Sequence, residues 1–250
     1  MAAGSQAGAG RLGSGIGLEH SLYSAVEALR RGDPVLIFDD PHREGETDMV
    51  VLSEKMTAEM VALLRHEAGG FLCVTAPAEV MERMGIGYQQ DMLHELAEKR
   101  PAVGRLLPER LGYDRRSAFG LAVSHRDTFT GIPDRDRALT IRAVGEFVRD
   151  ATTLSDGALT ERFTHDFLAP GHVPMLHTAR GLLQERAGHT ELSGTLARLG
   201  GLTESVALME MLSDDGGPLS PEAARRKAEE KGWPFVYGEE IREAWSKWFG

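Results

Sequence analysis

Leu22, Ala25, Val26 and Leu29 recur at helical spacing and Gly32 follows as a stop, so the patterned part of the chain opens on an amphipathic helix. The apolar run Val35, Leu36, Ile37 and Phe38 predicts a buried strand across 34–39, and a second strand is predicted around 48–53. Thr57 is placed to cap a helix that runs to Ala68, with Glu59 in its favourable first turn, and Gly69-Gly70 ends it. Phe71-Leu72-Cys73-Val74-Thr75 reads as another buried strand, and Pro77 opens a short helix to about Met84.

The second half repeats the alternation. Residues 85–116 are the least regular stretch, with Pro101, Pro108 and several basic side chains; they suggest an extended loop with a short helix, placed as a lid over a site. Residues 117–125 alternate like a strand, and 134–150 read as a helix with Ala138, Ile141, Val144 and Val148 inside. The polar stretch 152–165 carries no predicted element, and strand-like pieces follow around Phe167 and at 173–177. Thr190 is expected to cap a helix bearing Leu192, Leu196 and Leu199, stopped by Gly200-Gly201. A strand at 205–212, a helix at 221–231, a short strand at 235–237 and a helix at 239–248 complete the pattern. Strands mixed with helices and no central linker predict one α/β domain across 18–250. Residues 1–17 are small and glycine-rich, and read as a flexible tail.

Composition narrows the function more than the fold. With 250 residues, 42% of them hydrophobic and 26% charged, the chain can bury an ample core. Its net charge of −10 argues against a general nucleic-acid binder. No apolar stretch approaches the roughly 18–20 residues that span a bilayer. One cysteine, Cys73, excludes an intrachain disulfide and a multi-cysteine zinc site, so a reducing cytoplasm is the expected address.

Four clusters could carry chemistry. Arg43-Glu44-Gly45-Glu46-Thr47-Asp48 packs three carboxylates and a guanidinium at a strand exit, after Asp39-Asp40-Pro41. Carboxylate oxygens suit a hard divalent cation and an interleaved arginine suits a phosphorylated ligand; the plain alternative is a solvated acidic loop. In Glu185-Arg186-Ala187-Gly188-His189-Thr190-Glu191, the glycine permits close backbone approach and the helix start suits a phosphate; the alternative is a charged helix cap. Pro170-Gly171-His172-Val173-Pro174 holds a histidine on a stiff turn, as a positioned base or a turn residue. Met209-Glu210-Met211 sets a carboxylate in an apolar strand, where it must be paired, protonated or bound, unless it faces outward. His42, His66, His94, His125, His165 and His177 read as surface or packing residues, and Cys73 as core. GxGxxG, Walker, CxxC and HExxH patterns are absent.

In this order, and together with Gly69-Gly70-Phe71-Leu72-Cys73-Val74, Thr130-Gly131-Ile132, Asp136-Arg137-Ala138-x-Thr140-Ile141 and Asp214-Asp215-Gly216, the segments resemble 3,4-dihydroxy-2-butanone 4-phosphate synthase across about residues 18–240. The resemblance implies a homodimer with an α/β sandwich fold, a mixed sheet flanked by helices, and active sites shared at the subunit interface. It implies conversion of D-ribulose 5-phosphate to L-3,4-dihydroxy-2-butanone 4-phosphate and formate with Mg²⁺ or Mn²⁺, as a step of riboflavin biosynthesis. By the matching positions, Glu44 and His189 would hold the metal. Arg43, Glu44, Asp48, Arg186, Ala187, Gly188, His189, Thr190 and Glu210 would contact the substrate. His172 and Glu210 would move protons, with Glu46 assisting.

Two departures stand out. The loop reads Gly45 and Thr47 where bacterial members commonly carry Asn and Gly, which looks more like archaeal members. Leu168-Ala169 precede Pro170 where many members place an arginine. Many bacterial relatives are fused to GTP cyclohydrolase II, and a single cysteine cannot build that domain's zinc site. Two other readings stay open at this point: a silent sugar-phosphate binder on the same scaffold, and another metal-dependent sugar-phosphate enzyme such as an isomerase or aldolase.

Overall fold

The computed structural model describes residues 19–249 except Arg110 and Tyr113, and the tail expected over 1–17 lies outside the described residues. The chain runs α1 (His20–Arg31), β1 (Val35–Phe38), β2 (Thr47–Leu52), a 3-10 turn (Ser53–Lys55), α2 (Ala58–Glu67), β3 (Cys73–Pro77) and α3 (Ala78–Glu82). It continues through α4 (Gln89–Ala97), α5 (Pro101–Gly104), β4 (Phe119–His125), α6 (Asp134–Asp150), α7 (Asp156–Asp166) and β5 (Phe167–Thr178). After a second 3-10 turn come α8 (His189–Leu199), β6 (Val206–Glu210), α9 (Pro221–Lys231), β7 (Phe235–Tyr237) and α10 (Gly238–Phe249).

The strands form one mixed sheet in the order β4-β5-β3-β6-β2-β1-β7. Because side chains alternate across a strand, each strand feeds two cores. Leu36, Met49, Val51, Val74 and Met209 meet apolar side chains of α2, α6, α7 and α9 on one face. Val35, Ile37, Val50, Cys73 and Leu208 meet α1, α8 and α10 on the other. That double burial explains why β1 and β2 read as continuous apolar runs rather than alternating ones. Helices on both faces of a mixed sheet make the expected α/β sandwich.

Local chemistry sets the element ends. Thr57 Oγ1 accepts from the Met60 N–H at 3.2 Å to start α2, and Gly32 turns left-handed (φ 87°) to stop α1. Several expectations need correction. The polar stretch 152–165 holds α7, capped by Ser155; its apolar stripe is only Leu159 and Phe163, too narrow to stand out. Residues 85–116 contain two helices, α4 and α5, neither with a fully buried side chain. The pieces near Phe167 and 173–177 are one strand, β5, disguised by register shifts against β4. Thr190 does not cap α8: the helix starts at His189, with Gly188 in the capping position. β3 begins at Cys73 rather than Phe71, because the Phe71 N–H donates to Glu210 Oε2 at 2.6 Å instead of to a strand.

Register then gathers the chemistry. β2 and β6 run antiparallel with Asp48 directly opposite Glu210, on the sheet face covered by α8. The start of α8 lies over that pair.

Candidate active site

Asp39, at the end of β1, holds the acidic loop together. Its Oδ2 accepts the Glu44 N–H and its Oδ1 the Glu46 N–H, both at 3.1 Å, and it is only 2% exposed. The Asp40 carbonyl accepts the Arg43 and Gly45 N–H groups, and Gly45 takes a left-handed conformation (φ 69°) that glycine adopts without a side-chain clash. The polar break after Phe38 is thus a folded turn.

His189, the first residue of α8, sits in the cup this turn makes. Its Nδ1 lies 3.3 Å from Glu44 Oε2, and its Nε2 lies 3.1 Å from the Glu46 carbonyl and 3.8 Å from Asp48 Oδ1. Asp48 is fully buried and its Oδ1 has no hydrogen-bond partner among the described residues. Burial, reinforced by repulsion from Glu210, Glu44 and Glu46, raises the Asp48 pKa well above the carboxylate range despite the pull of His189. Burial pushes the His189 pKa down, but Asp48, the Glu44 hydrogen bond and Asp39 outweigh it and hold the imidazole above its ordinary value. Burial also acts to raise Glu44, yet His189 and Arg43 bring it below the usual range. Glu46 is raised by burial and by Glu44 and Glu210. Burial, with Glu210 and Asp48 nearby, pushes the Cys73 thiol up, so it stays protonated.

The same site also holds two cations. Arg186 Nη1 contacts Glu191 Oε2 at 2.6 Å, and the buried Glu191 is itself fixed by the Ala179 N–H at 3.1 Å. Arg43 Nη1 contacts Glu44 Oε1 at 2.8 Å and Asp39 at 3.4 Å. Both guanidiniums lie over Gly188: a Cβ there would come within 2.4 Å of Arg186 Nη1 and 2.7 Å of Arg43 Nη2. No described side chain caps α8, so its first N–H groups and two arginines converge on one spot, the arrangement that suits an anion.

One cavity of about 390 Å³ is lined by Arg43, Glu44, Glu46, Asp48, Arg186, His189, Thr190 and Glu210. Ala187 lines a larger neighbouring cavity of about 1220 Å³, and Gly188 lies beneath the arginines. His172 is elsewhere: exposed on β5, four residues from the cavity-lining Leu176 and so about 13 Å along the strand. Its Nδ1 lies 3.5 Å from Ser124 Oγ, beside Gly131. Asp215 caps a surface turn, accepting the Gly217 N–H at 3.0 Å. His177 is buried, as a packing residue should be.

Three residues given no role from sequence now have one. Asp39 and Glu191 anchor the two arginines. Asp114, from the irregular stretch, bridges them: its Oδ2 contacts Arg43 Nη2 at 3.3 Å and also Arg186 Nε. Asp39 stood in a quoted motif, but nothing in sequence ties Asp114 to residues about seventy positions away.

Carboxylate and imidazole atoms of Asp39, Glu44 and His189 lie within 4.8 Å of one another, a spacing that suits a divalent cation. Asp39 already spends both oxygens on backbone N–H groups, so Glu44 and His189 are the better donors, with the unpartnered Asp48 Oδ1 beside them. A buried carboxylate cluster, an imidazole and a pair of arginines thus share one site whose chemistry suits a divalent cation and an anion.

Residues 23–244 match the family model for 3,4-dihydroxy-2-butanone 4-phosphate synthase, and the chain belongs to that family. It is 42% identical over 225 residues to the Methanothermobacter thermautotrophicus protein named 3,4-dihydroxy-2-butanone 4-phosphate synthase, covering 90% of this chain and 95% of that one. The Archaeoglobus fulgidus protein of the same name is also 42% identical, with 89% and 93% covered. In fold the chain is similar to a crystal structure of 3,4-dihydroxy-2-butanone 4-phosphate synthase in complex with two magnesium ions, with a TM-score of 0.70 at 22% identity, covering 91% of this chain and 97% of that one. The protein is an enzyme of the lyase type that this family name denotes.

Proposed function

We propose that the protein converts D-ribulose 5-phosphate to L-3,4-dihydroxy-2-butanone 4-phosphate and formate, supplying the four-carbon unit of riboflavin. The observation that carries this reading is a single cavity that brings the Glu44, His189 and Asp48 donors together with the Arg43–Arg186 pair. A five-carbon sugar phosphate carries both kinds of group such a cavity suits, oxygens that a cation can bind and a phosphate that two arginines can bind. The reaction is redox-neutral and formic acid balances the lost carbon, so no oxidant is required.

Glu44 and His189 would hold Mg²⁺ or Mn²⁺, with Asp48 Oδ1 within reach. The donors fit: hard carboxylate oxygens plus an imidazole, in a pocket with an orphaned carboxylate oxygen. A bound cation would supply charge stabilisation for the enediolate and alkoxide character that develops on the sugar. The protein's own groups do the rest. Arg43, Arg186 and the N–H groups around Gly188, His189 and Thr190 grip the phosphate. Asp48, buried at the centre of the cluster opposite Glu210, stands on the same cavity as a proton carrier. Glu210, held by the Phe71 N–H, and Glu46, raised by burial, stand on the same cavity as further proton carriers.

His172 completes the set only if it comes from a second copy, and the reading therefore includes a homodimer with shared sites. The surface around His172 supports this. Phe129 is 97% exposed, Ile132 53% and Leu168 45%, and Leu168 pairs with Ser124 beneath the His172 ring. Such a patch of large apolar side chains is costly to leave in water and suits burial against a like surface. A cytoplasmic address fits a phosphorylated substrate, and no described helix is long and apolar enough to cross a membrane.

The test is direct. The purified protein with ribulose 5-phosphate and Mg²⁺ should release formate, and a chelator should stop it. Binding without formate would favour a silent binder, and a ketose or triose product would favour an isomerase or aldolase. Mixing inactive His172→Ala and Glu210→Ala chains should restore about a quarter of wild-type activity, from the one intact site in each mixed dimer. No recovery would sink the shared site.

A further inference from the structure

We propose that Asp114 is a resident stand-in for the substrate's phosphate, holding the two arginines in the phosphate-accepting arrangement and exchanging with that phosphate when substrate binds. The proposal rests on the reading that the arginine end of the cavity receives a phosphate. Arg43 and Arg186 lie together over Gly188, and a counter-ion shared between them favours that close approach of like charges. Asp114 Oδ2 supplies it, touching Arg43 Nη2 at 3.3 Å and Arg186 Nε as well. One anionic oxygen bridging two guanidiniums beside a helix N-terminus is the contact a phosphate oxygen would make.

Besides Glu44, which His189 holds, the other acidic partners are built in. Asp39 is locked by the Glu44 and Glu46 N–H groups and Glu191 by the Ala179 N–H, and both are buried. Asp114 is held differently. Among the described residues its second oxygen accepts one neighbouring backbone N–H, from Arg115 at 2.8 Å, and the residue is half-buried. It stands where the 390 Å³ site meets the cavity of about 1220 Å³, whose wall it helps to form, so there is room to withdraw. Arg116, stacked 3.5 Å over the Tyr88 ring and paired with Asp91 at 3.1 Å, anchors the segment beyond it. With Asp114 in place the arginines are already neutralised by four carboxylates, and a phosphate dianion would meet net negative charge. Exchange takes one of those four charges away and vacates the guanidinium N–H groups that the phosphate needs.

The deciding measurement is calorimetric titration of inorganic phosphate into the metal-free full chain. Asp114→Asn, and independently Asp114→Ser, should tighten phosphate binding about tenfold, lower the KM for ribulose 5-phosphate in step and leave kcat no higher. In the wild type, phosphate should speed amide hydrogen exchange around Asp114. Unchanged or weaker phosphate binding in both variants would overturn the proposal, as would wild-type exchange indifferent to phosphate. The titration does not read formate. Tightening without formate release would sink the reaction and keep this role for Asp114; formate release with unchanged phosphate affinity would do the reverse.

Discussion

Two buried histidines, His189 at the head of α8 and His177 twelve residues earlier near the end of β5, meet opposite fates. His189 is surrounded by Glu44, Asp48 and the Glu46 carbonyl, and its pKa rises. His177 packs against the Tyr88 ring at 5.2 Å, has no hydrogen-bond partner for either ring nitrogen among the described residues, and is pushed down by burial to about 4. Its Nε2 is so close to Gly120 that a Cβ there would lie 2.2 Å away. Burial is nearly equal at the two places; only the partners differ. A buried titratable group marks a working site when charges converge on it, and a packing site when they do not.

The contrast can be broken in three ways. The largest expected effect is at the His189 end: His189→Ala and Glu44→Ala should each lower formate release by at least about a thousandfold while the circular dichroism spectrum stays native. Full turnover in either variant would remove that residue from the metal assignment. Next comes the neutral histidine. The folded His177 pKa lies below the unfolded value of 6.5, so its neutral form costs nothing above that pH. As pH falls from 6.5 towards 4 the unfolded chain takes up a proton that the native state refuses. Stability should therefore drop by on the order of 3 kcal/mol over that window. Urea unfolding at both ends should show the drop in the wild type and its loss in His177→Leu, with formate release at pH 7.5 unaltered in that variant. The smallest effect is at Gly188, where alanine would push on both guanidiniums; KM should rise about tenfold with little change in kcat.

Much of this was legible in the chain. The strong apolar runs marked the central strands, because sheet residues buried on both faces leave a continuous signal. The clusters 43–48 and 186–190 were visible because charge density at an element boundary is expensive without a task. What escaped notice did so for physical reasons. α7 buries only Leu159 and Phe163, so its periodicity is faint against a polar background. α4 and α5 lie on the surface and have no buried stripe to read. Asp114 acts across the fold, and no local pattern encodes a contact over that distance in sequence. The family resemblance makes His172 a proton carrier, but one copy of the chain leaves it about 13 Å along β5 from the cavity.

The pairing of Asp48 with Glu210 limits where the chain can change in length. A strand's side chains alternate with a period of two, so one inserted or deleted residue in β2 or β6 would turn a carboxylate towards Leu36, Met49 and Val51. That error would bury an unpaired charge in the opposite core and unfold the sheet before it could alter the chemistry. The core thus acts as a proofreader for the site.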